Sequence, residues 1–264
     1  MIHLFAFCNV PVMPVRSEPN HKAEQVNQLL FGERLEVLEV LEEKEWARVR
    51  CEWDNYEGWC KTSQFTEISR KEFRKNTSLI TLHHYSKLIF TNTEMLLPLG
   101  CDLYGLKAGQ IVLNEQPSKF KGKKVNIKNT VFKAELLINA ARQYLNAPYQ
   151  WGGRTVMGID CSGLTQMVFK LCGQRLQRDA YKQANEGEVV DFLQHAQAGD
   201  LAFFDNTDGK IIHVGILLDT QYIIHASDSN GKVTIDRIDQ GGIISTMHKK
   251  RTHNLRLVKR FLPN

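Results

Sequence analysis

The stretch from Tyr149 to Gly163 (Tyr-Gln-Trp-Gly-Gly-Arg-Thr-Val-Met-Gly-Ile-Asp-Cys-Ser-Gly) limits what this chain can fold into more than any other. It reads as a glycine-rich loop that runs directly into a helix. Leu164, Met167, Val168 and Leu171 recur at i, i+3, i+4 and i+7, the spacing of an amphipathic helix. Cys161 stands at the point of entry. A thiol in the first turn faces unsatisfied backbone N–H groups and the positive end of the helix dipole, which favours thiolate. Asp160 is placed to cap the helix. Gly152, Gly153, Gly158 and Gly163 would let a substrate backbone approach closely. Taken alone, Cys161 is as readily a small core residue as a nucleophile.

Two runs downstream change that balance. Ile211 to Leu218 is apolar with His213 in its middle, and Tyr222 to Ser227 is apolar with His225 in its middle. Joined by Asp219-Thr-Gln, they predict a hairpin. A polar ring in a buried strand needs a partner. Two such rings on adjacent strands, with a helix-start cysteine upstream, fit a nucleophile, a base and an orienting group.

Four motifs, Asp160-Cys-Ser-Gly163, Ala198-Gly-Asp-Leu-Ala-Phe-Phe204, His213-Val-Gly215 and His225-Ala-Ser227, resemble in order and spacing the NlpC/P60 family of papain-like cysteine peptidases. The resemblance covers roughly residues 131–264. It implies an α+β, papain-like catalytic domain, with the helix bearing Cys161 against an antiparallel sheet bearing the histidines. Cys161 would attack an amide carbonyl. His213 would hold the thiolate as an ion pair and protonate the leaving amine, and His225 would orient His213. A histidine in that third role adds no charge beside the base, where an aspartate would. The oxyanion would be met by the Cys161 N–H and the Tyr149 hydroxyl. Tyr149, Trp151, Asp160 and Ser162 are candidates for substrate contact. No metal or cofactor is required. The resemblance also implies the substrate class, bacterial cell-wall stem peptides cut at the γ-D-glutamyl link to a diamino acid. One departure stands out: Arg178-Asp179-Ala180 occupies a place where relatives often have Ser or Thr.

Ahead of this domain, residues 1–68 alternate strand and turn signals and predict a small barrel. Leu29-Leu-Phe-Gly-Glu33, Trp46 and Gly58-Trp59 resemble a bacterial SH3-like domain. Trp46 and Trp59 read as core, whereas Trp53 and Tyr56 sit in a polar turn suited to ligand contact. Residues 69–79 read as a linker. Short strands at Leu79–Leu82, Lys87–Phe90, Gly109–Asn114 and Lys124–Ile127 suggest a second SH3-like or linker β domain over 69–130. A helix is expected over 132–145. The family subset with SH3-like domains in front and no secretion signal consists of γ-D-glutamyl-L-diamino acid endopeptidases that release L-Ala-γ-D-Glu during wall recycling. In that subset an acid and a tyrosine of the first domain bind the free amino terminus. Glu24 and Tyr56 are the matching positions here, with Glu33 as the alternative acid.

The remaining features bear on partners and location. The 264 residues are 42% hydrophobic and 24% charged, ordinary for a soluble globular chain. The net charge of +5 is modest and the basic residues are scattered, which argues against a nucleic-acid partner. Lys119–Lys124 and His248–Arg251 are expected to be solvated loops. No run approaches the roughly 18 apolar residues of a membrane span. Met1 to Val12 lacks a basic start and a small-residue cleavage site, and reads as a first strand. The six cysteines show no C-x-x-C spacing, consistent with reduced thiols. The expectation is a cytoplasmic monomer acting on peptidoglycan-derived stem peptides. A secreted hydrolase of intact wall and a non-catalytic wall-peptide binding protein remain the alternatives.

Overall fold

A computed structural model describes residues 4–75 and 77–263. The chain divides into two compact units, 1–129 and 130–264.

In the first unit seven antiparallel strands form one sheet. Their order is Gln25–Leu30, Val12–Arg16, Glu57–Lys61, Trp46–Cys51, Arg34–Leu41, Leu4–Cys8 and Phe65–Ile68. Alternation explains the core: Met13, Val15, Leu35, Val37, Ala47 and Val49 point inward together. The first strand, expected over Met1 to Val12, is Leu4–Cys8, and the chain breaks at Asn9 to Pro11 before a second strand begins at Val12; Met1 to His3 lie outside the described residues. Pro11 cannot donate to a ladder, so the chain turns there.

Residues 79–126 add a four-stranded sheet, in the order Glu94–Leu97, Ser86–Ile89, Gln116–Lys121 and Gln110–Leu113, and a ladder of Lys124–Asn126 with Leu79–Thr81. The sequence puts a linker at 69–79, and the structure ties this segment down. Arg70–Phe73 is one helical turn with a Ser69/Glu72 capping box. The Arg34 guanidinium donates to the carbonyls of Phe73 and Lys75. The basic run expected as a solvated loop is partly a strand: Ser118 and Phe120 are buried while Lys119 and Lys121 face water. Strand pairing needs only one apolar face, so alternate lysines do not prevent it.

In the second unit the helix Ala134–Arg142 packs beside the helix Cys161–Leu171. A seven-stranded antiparallel sheet runs Glu188–Val190, Arg251–Arg260, Leu201–Asp205, Ile211–Leu217, Tyr222–Ser227, Lys232–Asp239 and Gly242–Ile244. The last of these pairs back onto Arg251–Arg260, so six of the strands close on themselves. The helix Cys161–Leu171 is buried on all sides, where the sequence suggested an amphipathic one. Sheet strands, the helix Ala134–Arg142 and the short helix Ala180–Gln183 surround it. Two of its polar side chains are held inside the unit: the Thr165 hydroxyl bonds Gln183 Oε1 at 2.8 Å, and Gln166 Nε2 donates to the Leu176 carbonyl at 3.1 Å. Among the described residues no helix is long and apolar enough to cross a membrane.

Candidate active site

The loop before the nucleophile folds back on itself. Arg154–Thr155 pairs with Gly158–Ile159, and Tyr149 bridges Ile159. This delivers Asp160 as the N-cap of the helix, its Oδ1 accepting the Gly163 N–H at 2.7 Å. Oδ2 accepts the Gly152 N–H at 2.8 Å. The helix start sits so close to the loop that a Cβ on Gly163 would lie 2.3 Å from the Gly153 carbonyl oxygen. Cys161 occupies the first helical position and is 6% exposed.

Arg178 opens the stretch noted in the sequence as a departure. It is buried and clamps Asp160 with both arms, Nη1 to Oδ1 at 3.0 Å and Nη2 to Oδ2 at 2.6 Å. Nη1 also donates to the Ser162 hydroxyl at 2.8 Å. Two residues expected to touch substrate, Asp160 and Ser162, are therefore engaged inside the chain. Tyr149 is half-buried, and Trp151 is exposed on the loop.

His213 and His225 come together across the hairpin, His213 Nε2 to His225 Nδ1 at 2.9 Å, with both rings buried. Gly215 makes room for this: a Cβ there would meet the His225 Cβ at 2.9 Å. With its Nε2 bound to His225, His213 has Nδ1 left for the thiol. Two residues that the sequence reading missed complete the cluster. His225 Nε2 lies 3.2 Å from Asp236 Oδ2, and Asp236 is fully buried. His253 stacks on His213, with ring centroids 4.2 Å apart and planes inclined by 27°. Asp236 did leave a signal, an acid in phase with buried Ile238 on Lys232–Asp239. His253 left none, because the pairing of Ile243 with His253 that closes the sheet is non-local.

The electrostatics differ from the thiolate expected at a helix start. Burial pushes the Cys161 thiol up to about 12, the Asp160 charge adds to this, and the Val214 and Ser162 N–H groups and Arg178 only partly offset it. Burial, then His225 and His253, hold His213 well below the usual imidazole range. The resting pair is thus thiol and neutral imidazole. Dehydration outweighs the dipole, because a charge buried without full compensation is costly. Burial, followed by the Cys161 charge, raises the Tyr149 hydroxyl, so it remains a donor. Burial works against ionising Asp236, yet hydrogen bonds from His225 and Thr246 bring its carboxyl down to about 2. Chemically, a thiol at helix N–H groups suited to an oxyanion, on a helix packed against the strand that bears a neutral base, can carry out acyl transfer. The turn at Asp200 is structural: its carboxylate holds Arg260 at 2.7 Å and the Gln197 N–H at 2.8 Å.

Comparison with known proteins identifies the family. The NlpC/P60 family profile matches residues 146–252, and the bacterial dipeptidyl-peptidase Sh3 domain profile matches 15–65. The gamma-D-glutamyl-L-lysine dipeptidyl-peptidase of Bacillus subtilis is 30% identical over 223 residues, covering 79% of this chain and 74% of that protein. This chain belongs to the NlpC/P60 family. Dipeptidyl-peptidase 6 of Lysinibacillus sphaericus is 27% identical over 249 residues, 85% of this chain and 88% of that one. The crystal structure of an NlpC/P60 family protein from Bacillus cereus ATCC 10987 superposes with a TM-score of 0.81 at 20% identity, over 98% of this chain and all of that one, and shows the same fold. As an NlpC/P60 protein the chain is a cysteine peptidase, with a papain-like catalytic domain behind an SH3-type one. Two further candidates, Glu24 and Tyr56, belong to the first unit. Glu24 is exposed at the edge of Gln25–Leu30, and the Tyr56 ring packs on the barrel core. Glu33, the alternative acid, is buried and its Oε2 accepts the Leu30 N–H at 2.8 Å. Among the described residues no group of three or more His, Cys, Asp or Glu side chains is arranged to hold a metal.

Proposed function

We propose that this protein hydrolyses the γ-D-glutamyl–diamino acid bond of free cell-wall stem peptides. It would require an unblocked amino-terminal L-Ala, release L-Ala-γ-D-Glu, and act in the cytoplasm during peptidoglycan recycling. One observation carries the reading: similarity to two proteins named as dipeptidyl-peptidases runs through both units, including an SH3 domain of the dipeptidyl-peptidase type. In each turnover, Cys161 Sγ attacks the γ-carbonyl while its proton passes to His213 Nδ1. That proton then leaves with the amine of the diamino acid, and water releases the acyl group from sulfur.

The test is mass spectrometry of digests of L-Ala-γ-D-Glu-L-Lys and L-Ala-γ-D-Glu-meso-diaminopimelate peptides, free and N-acetylated. Free peptides should yield L-Ala-γ-D-Glu, and acetylated ones should be cut at least about 30-fold more slowly, the loss expected when a charged partner is removed. Equal rates on both forms, or cleavage of intact wall at a comparable rate, would overturn it. Recovery of the full-length protein outside the cytosolic fraction would overturn the recycling role.

A further inference from the structure

We propose that Asp236 is a positioning residue of the catalytic cluster, fixing the tautomers of His225 and His213 so that His213 keeps a bare Nδ1 for the Cys161 proton. The inference rests on the cysteine-peptidase chemistry of the site and not on the identity of the peptide cleaved.

The argument is one of donors and acceptors. An ionised carboxylate only accepts hydrogen bonds. Asp236 Oδ1 receives the Thr246 N–H and the Thr246 hydroxyl, both at 2.7 Å. Oδ2 receives Asn230 Nδ2 at 3.1 Å and faces His225 Nε2 at 3.2 Å. Asn230 is itself oriented, since its Oδ1 accepts the Ser245 hydroxyl at 3.3 Å and its amide therefore points to Asp236. A neutral His225 must then carry its one proton on Nε2, which leaves Nδ1 as a lone pair. That lone pair faces His213 Nε2 at 2.9 Å, so His213 must donate from Nε2. A neutral imidazole has one N–H, so His213 Nδ1 is unprotonated. This is the nitrogen a general base needs, since the other is already bound. His253, stacked on His213 with its ring centroid 5.9 Å from that of His225, is the other titratable ring against the pair. When His213 accepts the thiol proton, the Asp236 charge lies one ring away, through a continuous hydrogen-bonded chain.

The same geometry says what an amide would do. The Thr246 N–H can only donate, so in Asp236→Asn the amide oxygen takes the Oδ1 place. The amide nitrogen then occupies the Oδ2 place, donating to His225 Nε2 and, with the Asn230 amide turned over, to Asn230 Oδ1. His225 would move its proton to Nδ1 and His213 would move its own to Nδ1, removing the base without removing either ring. A merely structural Asp236, tying the 245–250 turn to the sheet, would not switch tautomers.

Ring-nitrogen NMR of histidine-labelled protein, together with steady-state kinetics on whichever peptide the enzyme cleaves, tests this. In the wild type, His213 and His225 should both carry their ring proton on Nε2. In Asp236→Asn both should convert to Nδ1–H. Its kcat should fall by about 10³–10⁴-fold with KM little changed, the size of effect seen when a protease base is held in the wrong tautomer. A wild-type His225 protonated on Nδ1 would overturn the proposal, as would an Asp236→Asn kcat within tenfold of wild type. Loss of kcat in a folded variant whose tautomers are unchanged would also overturn it, in favour of a structural role. If the variant does not fold, the wild-type spectrum alone decides. That spectrum needs no substrate, so it stands apart from any failure of the stem-peptide reading.

Discussion

At Cys161 the helix dipole and burial pull in opposite directions, and burial prevails. A thiol held up to about 12 is almost entirely protonated at neutral pH. Its alkylation by iodoacetamide should therefore rise about tenfold per pH unit between pH 6 and 9, following the thiolate fraction. A plateau already present at pH 6 would show a standing thiolate–imidazolium pair instead. Cys172, the buried C-cap of the same helix, has no place in the cluster. Cys172→Ala should keep most activity, whereas Cys161→Ala should abolish it. His253 carries a different consequence. Burial, then His225, lowers its imidazolium to about 4 from an ordinary 6.5. The unfolded chain thus binds a proton that the folded chain refuses between those values. Stability is fully present above pH 6.5 and is lost as pH falls toward 4. Allowing for its partial exposure, the loss is roughly 2 kcal/mol at pH 4. His253→Phe keeps a ring on His213 and removes that proton, so urea unfolding of the variant should lose less stability between pH 6.5 and 4. An unchanged decline would place the acid sensitivity elsewhere.

At the level of elements, the loop–helix junction depends on the Arg178 fork. Removing one partner of a buried ion pair leaves the other uncompensated, at about 3–5 kcal/mol. Arg178→Ala should destabilise the second unit by that order in urea unfolding. Arg178→Lys should recover little, because an ammonium cannot meet both Asp160 oxygens in the plane of a guanidinium. A loss under about 0.5 kcal/mol would show that Asp160 holds the helix start unaided. This junction also shows what the sequence made legible. The nucleophile helix, the two histidine strands and the Asp160 cap are local patterns, readable from spacing within a dozen residues. Arg178 stood out only as a departure, since its partner lies in an earlier element. His253 reaches the cluster through a strand pairing that closes the sheet, and no local period encodes that. The strand Gln116–Lys121 was hidden by its lysines, whose outward phase appears only once Ser118 and Phe120 are seen to face inward.

Across the whole molecule, a cysteine peptidase unit follows a barrel of the dipeptidyl-peptidase type. In the stem-peptide proposal that barrel recognises the ammonium of an unblocked L-Ala. An ammonium leaving water needs an acceptor in exchange. Glu33 is a poor candidate, because it is buried and its carboxylate already holds the Leu30 N–H. Glu24 is exposed, with its backbone carbonyl accepting the Ser17 N–H at 3.0 Å. Tyr56 is likewise held by its backbone, its N–H on Asp54 Oδ1 at 3.0 Å and its carbonyl on the Cys51 N–H at 2.9 Å. An exposed carboxylate gains about 0–1 kcal/mol from a solvated partner, but about 2–5 kcal/mol from one that substrate has covered. The covered case corresponds to a loss of about 30-fold or more in kcat/KM for Glu24→Gln on free stem peptides. On N-acetylated peptides the same substitution should change little, since no ammonium is present to be recognised. Equal losses on both substrates would show that Glu24 acts on folding and not on the amine. No loss on either would move amine recognition away from Glu24 while leaving the Cys161–His213–His225 chemistry intact.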